Sequence, residues 1–239
     1  QRQMCIRDRV SKILNDLKIA GRLDSTAVFL WTDHGVSHLR GKQFLYEEGI
    51  RVPMIIRLPR MQHAGTVRDD LIEHIDIAAC SLNLAGIKLP DNVQGRDFLS
   101  ADYKSRRFIF AGRDRCDETV DIQRCVRDSR YKYIRNFMSH VSHAQPSQYK
   151  DGKKILQVIR GLHKQGKLNE QQARPFAPRR PPEELYDLDS DPYELVNLAW
   201  EPKHQKKLLA MRKALFQQMA KTRDVGLIPE PILENLGRE

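Results

Sequence analysis

The sequence predicts an α/β fold followed by a small α+β subdomain. Three patterns carry that expectation. A helical stripe leads through a tight turn into an apolar, β-branched run at 26–31, the αβ unit of a layered sheet. Residues 122–126 and 131–137 read as a strand hairpin around Asp128-Ser129. Residues 202–222 form a basic amphipathic pattern, a helix suited to packing its apolar stripe on a core.

Taken in order, Val10, Ile13, Leu14 and Leu17 fall on one helical face, and Gly21 is the stop. Asp24-Ser25 turns the chain into the strand at 26–31, which is short and apolar enough to be buried. The chain turns polar at Thr32-Asp33-His34-Gly35, and a second apolar run, Val52 to Ile56, closes the stretch. Met61 to Val67 reads as loop. Leu71 to Leu84 is helical in pattern, with Cys80 in its core and Gly86 after it. The polar segment 91–100, turning at Gly95, is the expected boundary. Residues 1–9 are then irregular or non-native, 10–90 the first domain and 91–239 the second.

In the second part, 107–111 is a short strand and the hairpin follows. Tyr131, Tyr133 and Arg135 alternate with Lys132, Ile134 and Asn136, as two strand faces do. Residues 139–150 read as loop. Ile155, Val158, Ile159 and Leu162 form a helical face ending at Gly166, and the proline-rich 174–182 is extended. Residues 184–188 are a strand. On the long helix, Leu208, Met211, Leu215 and Met219 share a face, and the tail after Gly226 is irregular.

Lysine and arginine number 41 against 31 acids, a net charge of +10, which favours anionic partners: nucleic acid, an acidic surface or a polyanionic glycan. No RNA-binding aromatic signature, zinc-finger spacing or uninterrupted basic block is present, so nucleic acid is not expected. No stretch approaches a membrane span. The four cysteines form no C-x-x-C pair, and Cys116 with Cys125 could bridge. The chain starts at Gln1 with no signal-peptide core, which is expected of a fragment.

The chemistry-bearing residues lie between the two apolar runs of the first part. Asp33 offers a hard carboxylate oxygen suited to Ca²⁺ or Mg²⁺, and His34 a nitrogen. Lys42 offers a point charge for an oxyanion, and Gly35 and Gly41 let the loop turn back. From the residues alone, Asp-His-Gly after a strand is equally a capped turn, and Lys42 a solvated loop charge.

The motif Thr32-Asp33-His34-Gly35, then Gly41-Lys42-x-x-x-Tyr46-Glu47-x-Gly49-x-Arg51-Val52-Pro53, resembles the late catalytic motif of type I sulfatases, in the alkaline-phosphatase-like superfamily. His74-Ile75-Asp76, the run Arg127 to Ile134, and Glu184-Leu185-Tyr186-Asp187-Leu188 with Asp191-Pro192-x-Glu194 are similar to later parts of that family. The resemblance implies the C-terminal part of an alkaline-phosphatase-like α/β/α catalytic domain, then an α+β subdomain with an antiparallel sheet and a C-terminal helix. It implies calcium held by Asp33 and His34, with Lys42 on the sulfate. His38, Arg113, Arg115 and Asp117 are further candidates for substrate contact, the last three in a charged loop after a strand. Tyr46, Glu47, Gly49, Arg51 and Pro53 are expected to shape the loop. The family's formylglycine nucleophile, made within a C/S-x-P/A-x-R motif, is expected upstream and is absent here, as is the Asp-Asp pair that completes the calcium site. Cys5 to Arg9 lacks the Pro or Ala and is a decoy.

The implied activity is hydrolysis of a sulfate ester or sulfamate on a sulfated small molecule or polysaccharide, in the periplasm or outside the cell. The chain alone is expected to be inactive, with weak calcium affinity. The alternatives are a phosphodiesterase or phosphonate hydrolase of the same superfamily, and a non-catalytic binder of anionic glycans. Oligomeric state is not legible.

Overall fold

The structure, a computed structural model, describes residues 2–237. In chain order its elements are α1 (Arg2–Ile19), β1 (Val28–Trp31), α2 (Glu47–Ile50), β2 (Met54–Arg57), α3 (Ile75–Leu84), β3 (Ile109–Cys116), β4 (Thr119–Arg127), β5 (Tyr131–Asn136), α4 (Gln148–Asp151), α5 (Lys154–Lys164), α6 (Glu170–Ala173), β6 (Glu183–Asp187), α7 (Gln205–Thr222) and α8 (Glu230–Leu236). They fall into two units: the residues up to 33 with 52–104, and 34–51 with those from 105 onward.

In the first unit α1 runs through the opening residues that were expected to be irregular. Arginine, glutamine and methionine are good helix formers, and no glycine or proline interrupts the run before Gly21. The helix stops where expected: Gly21 is left-handed, and Arg22 N–H closes the turn onto Leu17 O at 2.9 Å. β1 pairs antiparallel with β2, Val28 opposite Arg57 and Trp31 opposite Met54. The strand is not buried as expected, since Leu30 and Trp31 are 39% and 40% exposed. A two-stranded ribbon has two faces to cover, and neither α1 nor α3 packs broadly on it.

α3 begins at Ile75, four residues later than the periodicity suggests, because the Asp76 carboxylate holds the preceding chain in a cap-like turn. Asp76 accepts from Glu73 N–H at 2.8 Å and from Arg96 N–H at 2.7 Å, and is fully buried. It thereby fastens the 91–100 segment to the start of the helix. Replacing Asp76 with alanine leaves those buried donors unsatisfied, an expected loss of about 2–4 kcal/mol. Urea unfolding of the variant measures it.

The second unit is built on an antiparallel sheet of order β3-β4-β5-β6. Its strands alternate as the sequence suggests. Val126, Tyr133 and Leu185 face Leu208, Met211 and Leu215 of α7, with Met219 partly buried beside them. Cys125, Ile134 and Tyr186 face Phe44, Leu45 and Tyr46. The sheet is thus covered on one face by the C-terminal helix and on the other by the segment that follows Asp33.

Three expectations need correction here. β3 extends to Cys116, so Arg113 and Arg115 lie in a strand; pairing with β4 continues past the apolar residues to Cys116 opposite Thr119. The tail is not wholly irregular, since Pro229 leads into α8. Cys116 and Cys125 are free thiols, and Cys125 is buried in the sheet. α5 forms with Gly166 left-handed after it, but Leu156 is its buried residue while Ile155 and Val158 are about half exposed. Periodicity tells which residues share a face, not whether anything covers it.

Candidate active site

The loop after Asp33 closes on itself through its backbone. Gly35 N–H donates to Gly49 O at 3.0 Å, and Lys42 N–H to Val36 O at 2.7 Å. The glycines are needed for room: a Cβ on Gly35 would sit 1.8 Å from Glu48 O, and one on Gly41 1.9 Å from Val36 O. The residue after Lys42, Gln43, has φ of +80°, a conformation that costs a non-glycine residue of order 1–3 kcal/mol. Phe44 to Tyr46 hold it there by packing on the sheet.

The rest of the motif anchors the loop. Tyr46 O–H donates to Glu184 at 2.9 Å, and the Arg40 guanidinium lies 3.9 Å over the Tyr46 ring. Lys132, fully buried, meets Glu47 at 2.7 Å and Glu194 at 2.9 Å. Glu47 also pairs with Arg127 at 3.0 Å, and its N–H donates to Glu194 at 2.6 Å. Burial works to raise the Glu47 carboxyl, but Lys132 and Arg127 outweigh it and hold it below its ordinary value. Burial prevails at Glu194 and pushes it up. Tyr46, Glu47 and Glu194 therefore hold structure.

Asp33 is exposed and ends its segment of the first unit, while His34 begins the insertion into the second. His34 Nδ1 lies 2.7 Å from Gly35 O. A carbonyl only accepts, so Nδ1 is the donor in this contact and Nε2 is the ring's other nitrogen. One carboxylate and one imidazole nitrogen suit part of a metal shell, and among the described residues no group of three or more candidate ligands gathers.

Lys42 Nζ lies 3.4 Å from Tyr149 Oη and 4.9 Å from its ring centroid. No carboxylate pairs with Lys42 among the described residues. Ser37 Oγ is 3.3 Å from the same Oη, and Lys153 bonds Ser37 while lying 4.0 Å from the Tyr149 ring centroid. Hydrogen bonds from Ser37, Lys153 and Lys42 draw the Tyr149 phenol down to about 8. Cations favour the phenolate, so removing them raises the value. Lys42→Ala or Lys153→Ala is expected to return Tyr149 toward its ordinary 10. Phenolate absorbance against pH reads this directly, with Tyr149→Phe as the assignment.

Of the other sequence candidates, His38 lies 3.8 Å from Glu48 on the loop's outer side. Arg113 is buried, 3.2 Å from Asp121 and 4.7 Å over the Phe44 ring, so it does approach the Lys42 segment. Arg115 and Asp117 bond each other at the β3–β4 turn, and Arg115 reaches Glu230 of α8 at 2.5 Å. Sequence reasoning missed Tyr149, Lys150 and Lys153. Tyr149 and Lys150 end the stretch 139–150 that reads as loop and Lys153 lies just past it, but nothing in their spacing tied them to a lysine more than a hundred positions earlier.

The family described as N-sulphoglucosamine sulphohydrolase, C-terminal, matches residues 34–170. An ulvan-active sulfatase of Formosa agariphila is 38% identical over 229 residues, 95% of this chain and 38% of that protein. The chain thus spans about two fifths of that relative's length. A solved chain described in complex with its substrate D-glucosamine-2-N,6-O-disulfate superposes with a TM-score of 0.64 at 20% identity, over 95% of this chain and 41% of that one. The phosphonate monoester hydrolase of Agrobacterium radiobacter does so with a TM-score of 0.63 at 20% identity, over 92% and 40%. These likenesses establish the alkaline-phosphatase-like sulfatase fold of the C-terminal region.

Proposed function

The chain belongs to the sulfatase family, in its N-sulphoglucosamine sulphohydrolase C-terminal group, and on that premise we propose that it supplies the sulfate-holding part of a sulfuric ester hydrolase. The observation that carries this reading is Lys42: its closed loop presents an ammonium with no carboxylate against it among the described residues, and with further cations nearby. Such a charge holds the oxygens of a bound sulfate and offsets the negative charge that moves onto the leaving oxygen. Asp33 and His34 would hold a divalent cation, calcium in our reading, together with ligands from outside these residues. Such an ion polarises the sulfate oxygens as a Lewis acid. His38, Arg113, Arg115 and Asp117 stay as candidates for contact with the remainder of the substrate, Arg113 first because of its position beside Phe44.

Residues 10–90 are read as the end of the catalytic domain and 91–239 as the subdomain. The substrate class is a sulfated small molecule or polysaccharide, met in the periplasm or outside the cell. No helix among the described residues is long and apolar enough to cross a membrane.

The fold does not separate sulfuryl from phosphoryl transfer, because the phosphonate hydrolase shares it. The test is substrate choice by the longer protein that carries this segment. 4-Nitrocatechol sulfate is expected to be hydrolysed faster than a phosphonate monoester, and the reverse order overturns the reading. The 239-residue chain by itself is expected to release no sulfate and to bind calcium weakly. Heparin binding that persists without calcium, with no turnover by the longer protein, would favour a non-catalytic glycan binder.

A further inference from the structure

Tyr149 stands on α4, and its hydroxyl meets the Lys42 loop within the second unit. An ammonium has hydrogens and no lone pair, so at 3.4 Å Lys42 Nζ donates and Tyr149 Oη accepts. Ser37 Oγ accepts from Lys153 Nζ, which leaves the serine hydrogen for Tyr149 Oη, 3.3 Å away. Both lone pairs of the phenol oxygen are then engaged, and its own hydrogen is not. Among the described residues no carboxylate or carbonyl accepts that hydrogen. Tyr149 is 42% exposed, so the unused donor faces solvent beside the Lys42 ammonium.

The charged groups around the phenol are mostly positive. Lys42 reaches it from the loop and Lys153 from just before α5. On its own element, Lys150 turns away and holds its ammonium 3.9 Å from the Phe44 ring centroid. The acids nearby are engaged elsewhere: Asp151 with Arg160 at 2.8 Å, Glu118 with Gln148 N–H, and Glu48 facing His38. Arg40 lies over Tyr46. With its phenol drawn down to about 8, Tyr149 keeps its proton at pH 7 and donates more strongly than an ordinary tyrosine.

We propose that Tyr149 is a substrate-binding residue of this site, its hydroxyl donating to an oxygen of the sulfate that Lys42 holds. This role rests on the reading of Lys42 as a sulfate clamp. A sulfate carries several acceptor oxygens and no donor, so one can take the ammonium and another the phenol beside it. The loop supplies the charge, and α4 supplies a bond with direction. Lys153 is a positioning residue: by occupying Ser37 it turns the serine hydrogen onto Tyr149 and leaves the phenol hydrogen pointing outward. Ionisation of the phenol removes the donor and puts a negative charge in its place, so sulfate binds the protonated form.

The experiment uses the longer protein that carries this segment, with 4-nitrophenyl sulfate as the reporter substrate and inorganic sulfate as the competing probe. The inhibition constant of sulfate is read at about pH 6.5 and about pH 9.5, on either side of the phenol's titration. At the lower pH, Tyr149→Phe is expected to bind sulfate about tenfold more weakly than the parent. The parent loses affinity as the phenol ionises, so at the higher pH the variant is expected to bind sulfate as well as the parent or better. Lys153→Ala is expected to carry the parent's loss of affinity to higher pH, because its phenol ionises later. The ring of Tyr149 stays in place in the phenylalanine variant, so its melting temperature should not change. Equal inhibition constants for the parent and Tyr149→Phe at the lower pH, with Lys42→Ala still weakened, would remove Tyr149 and leave the clamp standing. A loss of the same size at both pH values marks a distorted loop and also overturns the role. If Lys42→Ala binds sulfate as the parent does, or the longer protein turns over no sulfate ester, the clamp reading fails and the role of Tyr149 falls with it.

Discussion

Lys132→Ala is expected to lower the unfolding free energy by about 3–5 kcal/mol, because it leaves two carboxylates buried without their common cation. Lys132 meets Glu47 at 2.7 Å and Glu194 at 2.9 Å, and is itself fully buried. Arg127 can still serve Glu47 at 3.0 Å, but among the described residues Glu194 keeps only the Glu47 N–H. The pH dependence follows from the Glu194 carboxyl, already raised by burial in the parent chain and raised further without Lys132. A carboxyl raised on folding adds stability when protonated and loses that contribution as pH climbs through its folded value. The deficit of the variant is therefore expected to grow from about pH 5 to about pH 8. Urea unfolding at the two pH values measures it, and a deficit independent of pH would contradict the assignment. Adding Glu194→Gln to Lys132→Ala should recover part of the loss, since one of the two charges is gone.

Lys42→Ala is expected to reduce sulfate release by the longer enzyme about 10²–10³-fold in kcat, the usual effect of removing one donor to developing charge. The side chain's described polar neighbour is the exposed Tyr149. Its removal should therefore leave the melting temperature nearly unchanged. Lys42→Arg should not restore the rate, because the guanidinium is planar and wider and cannot sit as a point charge in the same place. Retention of sulfate release within about threefold would refute the clamp role.

The fold was legible wherever a pattern and its cover lie in the same chain. The stripe Leu208, Met211, Leu215 names a helix face, and the sheet that buries it comes from β4, β5 and β6. The hairpin at Asp128-Ser129 was readable because two alternating runs flank a turn. The exposed β1 and the exposed side of α5 were not readable, since periodicity carries no information on what lies opposite. Asp33, His34 and Lys42 stood out because they follow a strand closely in sequence. Lys150, His143 and Tyr149 did not, because each reaches the Lys42 loop only through the fold. Arg113 was read as a loop charge and is a buried strand residue, because pairing with β4 carries β3 on to Cys116.

The interleaving of the two units has a consequence in time. Phe44 to Tyr46 leave the ribosome long before Cys125, Ile134 and Tyr186, the residues they cover. At roughly 5–20 residues per second, the last of these follows Tyr46 by on the order of ten seconds. For that interval an aromatic segment waits beside an unfinished sheet, and a chain stalled or cleaved before β6 keeps it uncovered. Newly made protein should therefore depend on chaperones far more than the finished molecule does.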